Sequence, residues 1–498
     1  MTKQIWLGDF SFPKPNVIPS LTGREPRALA KMHHISSLRY WPPVPATEGT
    51  PLKKGLLPAY GAPDAKLRPL SISFAAMTLF SYTGGAALIY PATFHVLGTV
   101  GGPLIMLCIL TVSWVAAKWT AEAAIRTDAM SFGEIGFKLG GHPGWLLTAG
   151  SQLLSQAMVL PVSLTLCTRA LQSLMREGFW GWEAPAYVNC NGNVVGLWCV
   201  IGVLLVQVSR RFEDVKLITC AESGMIVLTS IYLAVQVCIS LPPVSHPAGA
   251  EPDELFVGVD HHQQRYEWDM VIAAIGNFVF TCLPCAILVE LMSELPNEQR
   301  PRMRWVVDVT YATTAMIYLL AGLPPVIAWG GDLPSPITTV GIVIKVALIS
   351  GYLTRFVLSS ITLNKNIVSI YHPSFDYKWT CRNSVAWARF SLPLVSFAVA
   401  ASLMIPRLAT LARVTSSLAS GTLQLTAIPL LIFLTSHAEI HQYEFRATAG
   451  GPCGCGFLAT LCFGVCFSLA TLASAVKGIP ATHFAPVGNE TFWCDLVG

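Results

Sequence analysis

Apolar stretches of about 20 residues recur along the chain after residue 69, each long enough to cross a bilayer core of roughly 30 Å as a helix. Segments crossing hydrocarbon must satisfy their backbone groups internally, so they are helices or strands of a closed barrel, and the length and continuity seen here select helices. About eleven spans are expected. They are Leu70 to Leu97, Gly101 to Ala124, Gly144 to Leu171, Val194 to Val208, Leu217 to Ser240, Met270 to Met292, Val306 to Trp329, Ile337 to Leu363, Ala386 to Ile405, Leu411 to Leu434 and Gly456 to Ala475. The chain therefore reads as an all-α polytopic membrane protein whose solvent is the lipid bilayer. Composition agrees, since 53% of the 498 residues are hydrophobic and 12% charged, where a soluble domain carries about 25% charged residues. The net charge of +4 comes without a long basic run interleaved with aromatics, so a nucleic-acid partner has no support.

Residues 1–69 lack the short apolar core of a cleaved signal peptide and are rich in proline and basic residues, which reads as a disordered cytosolic tail. One transmembrane domain, residues 70–476, follows, and residues 477–498 form a short extracytosolic tail. Most of the 14 cysteines lie within apolar stretches, where a free thiol behaves as a small buried hydrophobe. Orientation follows the positive residues: the tail, Arg210 with Arg211 and Lys216, Arg300 with Arg302 and Arg304, and Lys378 with Arg382 all fall on one side, with Arg407 the main exception. That side is the cytosol. The acidic loop with Glu251, Asp253, Glu254, Asp260 and Glu267 falls opposite, as do the glycosylation sequon at Asn489 and the cysteines Cys190 and Cys494. Those two cysteines form a disulfide or remain free thiols; sequence does not decide between them.

A polar solute crossing a bilayer needs polar groups at membrane depth, and broken helices supply them as half-helix ends. The first span contains Tyr82-Thr83-Gly84-Gly85-Ala86 and then Pro91; the sixth contains Gly276-Asn277-Phe278-Val279-Phe280-Thr281-Cys282-Leu283-Pro284. An offset of five spans is what two inverted repeats of five helices would give, with the eleventh outside the repeat. The alternative is that these glycines and prolines serve only packing and kinking. Read as a substrate site, amides of Gly84, Gly85 and Ala86 bind a carboxylate while Thr83, Asn277, Phe280 and Thr281 complete the surroundings. No acidic residue or arginine stands within either break to select a charged side chain, so neutral amino acids are the default substrate.

At these residues the chain resembles the amino acid/auxin permease family, within the amino acid, polyamine and organocation superfamily. The resemblance rests on Gly84, Leu88 and Pro91 in TGGAALIYP, on Phe132, Glu134, Ile135 and Gly136 in SFGEIGFKLGG, on Gly276 and Phe280 in AAIGNFVF, and on Ile405, Pro406 and Pro429 further on. Ala86 replaces the family's second glycine, and Leu283-Pro284-Cys285 replaces its Gly-Gly-His-like stretch. The resemblance implies a leucine-transporter-like fold of five plus five inverted helices and one more. It implies an amino acid transporter working by alternating access around broken helices one and six.

Ionisable residues at membrane depth cost roughly 2.5 to 3.5 kcal/mol each, so each needs a reason. Glu222 and Glu290 fall toward the cytosolic ends of the fifth and sixth spans, where they either snorkel to the headgroups or take part in proton coupling or an inner gate. Lys345 and Arg355 fall within the eighth span, Arg355 near its middle beside Thr354. In sodium-coupled members of this fold, hydroxyls of the eighth span help hold the ion, and Thr354, Ser359 and Ser360 are the matching candidates. A fixed guanidinium there repels sodium, so the expectation is a sodium-independent carrier, coupled to protons or facilitative, with no other cofactor.

The pairs His33-His34 and His261-His262 lack further ligands for a metal site, and Cys453 with Cys455 reads as an unmodified pair. No constellation for enzymatic catalysis stands at one membrane face. The main alternative is an amino-acid-binding sensor that signals without flux. The sequence leaves open the oligomeric state and the choice between plasma and internal (vacuolar or endosomal) membranes.

Overall fold

The computed structural model describes residues 70–176, 191–239, 268–282, 285–329, 342–371, 375, 377 and 379–404, with isolated positions at 427, 462, 464–466 and 468–470. The two tails and most of the expected tenth and eleventh spans lie outside them, as do Cys190, Cys494, Asn489, the histidine pairs, Cys453 and Cys455. Among the described residues there is no strand, and eight helices are long and apolar enough to cross a membrane. The expected fourth span is also helical.

Ser71 starts α1 (Ile72–Gly84) by accepting the Phe74 amide at 3.3 Å. The chain then tightens into a 3-10 turn at Ala87–Ile89 and resumes as α2 (Tyr90–Leu97), with Pro91 in its first turn, where a missing N–H costs nothing. Gly98, at φ 84°, ends the span. Helix α3 (Gly101–Thr127) stops at left-handed Asp128, and α4 (Phe132–Arg176) is bent at Gly141, whose φ of 64° and ψ of −150° no helix accommodates. The FGEIGFKLGG segment is thus a short helix leading into the third span. There follow α5 (Asn191–Val208), α6 (Lys216–Cys238), α7 (Trp268–Thr281), α8 (Cys285–Ser293), α9 (Met303–Trp329), α10 (Ile342–Tyr371) and α11 (Cys381–Met404). The sixth span is therefore two helices, interrupted after Thr281 as its sequence suggests.

Helix α1 packs against α6, α9 and α10, and α10 lies along α4. Helix α11 is fastened to α5 by the buried Trp387 indole, which donates to the Val206 carbonyl at 2.9 Å, and by Gln207, which donates to Ser391 at 2.6 Å. Polar residues point inward while large apolar ones such as Leu217, Met316 and Ile327 point outward at 83%, 71% and 65% exposure. That pattern suits a hydrocarbon surrounding, where burial of apolar surface gives no gain.

The eighth span runs to Tyr371 rather than ending near Leu363. Its last turns carry Asn364, Lys365, Asn366 and Ser369, all buried. Polarity signals a span end only where it faces water; here it faces other helices.

Candidate functional site

The first break is narrower than the sequence suggests. The Gly85 amide donates to the Ser81 carbonyl and the Ala86 amide to the Thr83 carbonyl, both at 3.4 Å, so these two donors are spent, at long distance, inside the turn. Of the three amides expected to bind a carboxylate, Gly85 and Ala86 are thus engaged within the turn. Gly84 faces α6, where a Cβ would lie 3.3 Å from the Ile226 and Phe80 side chains. Gly85 faces α10, with a Cβ position 3.4 Å from the Gly351 Cα. Ala86 is fully enclosed.

Thr83 turns onto α9. Its hydroxyl donates to the Leu79 carbonyl at 2.9 Å and sits 3.2 Å from that of Thr314, while its carbonyl accepts the Tyr318 hydroxyl at 2.5 Å. Tyr318 stacks on Tyr90, ring centroids 3.9 Å apart, and the Tyr90 hydroxyl meets that of Thr281 at 2.6 Å. The two broken spans thus touch through Tyr90 and Thr281. Asn277 lies further along α7, half-buried, donating to Thr93 of α2 at 3.5 Å.

Across the junction stands Arg355 of α10. Its Nη2 donates to the Phe280 carbonyl at 2.7 Å, and its guanidinium carbon lies 4.3 Å from the Phe280 ring centroid and 4.9 Å from that of Tyr82. A helix exposes carbonyls at its C-terminal end, and a cation is the natural partner for them. The structure therefore places at the second break an arginine that lies 75 residues away in sequence. Ser359, one turn on, approaches the Tyr82 hydroxyl at 3.4 Å, which Gln156 of α4 also reaches at 3.4 Å. The Thr354 hydroxyl is buried and has no partner among the described residues.

Glu222 and Glu290 do not snorkel; both are fully buried in protein. Glu222 Oε2 accepts the Ser350 hydroxyl, and its Oε1 has no partner among the described residues. It lies against Gly351, level with the first break, since a Cβ on Gly351 would be 2.8 Å from Oε1. Glu290 Oε1 accepts Gln152 of α4 at 2.7 Å and Asn366 of α10 at 3.3 Å.

One cluster escaped the sequence reading. Glu294, just past α8, pairs with Lys365, accepts the Phe212 amide at 3.2 Å through a side-chain oxygen, and accepts the Leu70 amide at 3.1 Å through its carbonyl. It joins the entry of α1, the approach to α6 and the end of α10. The spacing of Glu290 and Glu294, one helical turn apart, was the available signal. Among the described residues no group of acidic, histidine and cysteine side chains is arranged to hold a metal.

Residues 71–476 match the family model described as transmembrane amino acid transporter protein. No curated protein matches the chain in sequence. Among solved structures, the crystal structure of MhsT in complex with L-phenylalanine matches with a TM-score of 0.52 at 15% identity, covering 82% of this chain and 100% of that one. At that identity the likeness speaks for the fold: an all-helical membrane protein of leucine-transporter type.

Proposed function

The chain belongs to the transmembrane amino acid transporter family, and from that premise we propose a secondary active or facilitative carrier that moves amino acids by alternating access around its two broken spans. The observation that carries this reading is the meeting of both breaks at one buried polar junction, Tyr90 with Thr281 and Arg355 with Phe280. Half-helix ends converging at membrane depth are how such folds build a site for a polar solute. Rocking one set of helices against the other would open the junction first to one face and then to the other. The role is transport rather than catalysis.

Sodium independence is part of the proposal. Arg355 occupies the face of α10 whose hydroxyls, Thr354 and Ser359, would otherwise serve a cation, and a fixed positive charge there opposes a second one. Protons are the proposed coupling ion where transport is active. Glu222 supports this, being a buried carboxyl at the first break with no cation partner among the described residues. Neutral amino acids remain the proposed cargo, because Arg355 and Glu222 supply one group of each sign and no surplus charge for a charged side chain. The cytosolic N-terminus, a glycan on Asn489 and a plasma or internal membrane location complete the proposal. Glu290 is proposed as a gating residue through its hold on α4, α8 and α10.

Uptake of radiolabelled amino acids into proteoliposomes under imposed sodium or proton gradients tests this reading. Saturable uptake unaffected by sodium is expected; sodium-driven accumulation that survives Arg355→Ala would sink the sodium argument. Saturable binding with no flux would replace the carrier by a sensor.

A further inference from the structure

Arg355 has more hydrogen-bonding capacity than its place in the structure uses. It is 2% exposed, and only its Nη2 has a hydrogen-bond partner, the Phe280 carbonyl; Nε and Nη1 have none among the described residues. No carboxylate stands within ion-pair distance of it among those residues. Holding one carbonyl needs one donor. A guanidinium carries five, in a planar fork that matches a carboxylate, and burying it without a counter-charge is costly. Nε and Nη1 leave a donor on each edge of that fork, flanked by the Phe280 and Tyr82 rings of the two broken spans. Meanwhile the Gly85 and Ala86 amides, the alternative anchor for a carboxylate, are engaged within their own turn.

We propose that Arg355 is the carboxylate receptor of the transport site: a substrate carboxylate takes one edge of the fork, Nη1 or Nε together with one Nη2 hydrogen, while the other Nη2 hydrogen stays on the Phe280 carbonyl. This rests on the carrier reading above and adds to it the group that recognises the cargo. Gln156 fits the same picture. Its Nε2 reaches the Tyr82 hydroxyl at 3.4 Å, and its buried Oε1 has no partner among the described residues, which leaves an acceptor for a substrate ammonium group beside the same tyrosine. The carboxylate has two sources, the α-carboxylate common to all amino acids or the side chain of an acidic one.

The test uses the purified full chain with L-alanine, L-alaninamide, L-glutamine and L-glutamate as probes, reading binding by calorimetry and flux in proteoliposomes. The wild type is expected to bind alanine and reject alaninamide. Arg355→Gln, which keeps one donor for Phe280, should fold, lose affinity about 10- to 100-fold, and no longer distinguish alanine from its amide. Arg355→Lys provides a second variant with the charge retained and should also lose affinity, because a lysine cannot make the fork. Alanine and glutamine lost alongside glutamate would assign the α-carboxylate; loss confined to glutamate would assign the side chain. If wild-type transport is intact and both variants keep full discrimination against alaninamide, Arg355 is only a structural pin and the proposal falls while the carrier reading stands. If the wild type neither binds nor moves any carboxylate-bearing probe, both fall.

Discussion

Gly85 and Gly351 bring the backbones of α1 and α10 into contact at the first break: a Cβ on Gly351 would lie 3.3 Å from the Gly85 Cα and carbonyl oxygen, and 2.8 Å from Glu222 Oε1. Two glycines facing each other let helices approach where the site must be assembled. Gly351→Ala is expected to force α10 away from α1 and Glu222, at a cost of about 1 to 3 kcal/mol. A lowered melting temperature and reduced uptake check this, with Gly85→Ala the milder change.

Tyr318 holds the Thr83 carbonyl at 2.5 Å and supports Tyr90 from one face. Tyr318→Phe keeps the stack and removes the bond, leaving the buried Thr83 carbonyl only the long 3.4 Å bond from the Ala86 amide. The expected loss is about 1 to 3 kcal/mol, read as a melting-temperature drop, with weaker substrate binding. An unchanged affinity would mean that this bond does not position the break.

Glu222→Gln separates coupling from transport. The amide keeps a partner for Ser350 but cannot carry a proton. Exchange of labelled for unlabelled substrate should persist, while accumulation driven by an imposed pH gradient should vanish. Full retention of gradient-driven accumulation would remove Glu222 from the coupling step.

Lys365 and Glu294 form a pair with side chains 5% and 6% exposed. Lys365→Met leaves a buried carboxylate short of its counter-charge, with Arg211 at 4.0 Å the one other cation paired with it among the described residues, and should destabilise the protein by about 3 to 5 kcal/mol. The double variant Lys365→Met with Glu294→Leu should recover much of that loss. Because the pair ties α10 to the entry of α1, the double variant should also open that end more readily, measured as faster labelling of cysteines introduced there.

Much of this fold is written in the sequence. Spans of about 20 apolar residues, the glycines at 84 and 85 and the interruption near Pro284 each identify their element, because bilayer thickness and backbone hydrogen bonding leave little choice. The candidate site is legible only in part. Thr83 and Thr281 are near the junction, but rotation about the helix axis turns their hydroxyls onto Thr314 and Tyr90. The arginine at the second break comes from α10, and nothing in the local sequence around Phe280 announces it. Lys365 and Asn366 read as a span end in the sequence, but in the fold their polarity faces Glu294 and Glu290 rather than water.

The most direct test of the central claim compares flux and binding on the same purified protein, wild type and Gly84→Val, with a panel of radiolabelled amino acids. Valine at position 84 has no room, since even a Cβ would meet Ile226 and Phe80 at 3.3 Å. Saturable wild-type uptake that needs no sodium and is lost in Gly84→Val is the predicted result. Saturable binding by the wild type without any flux, under either gradient, would contradict it.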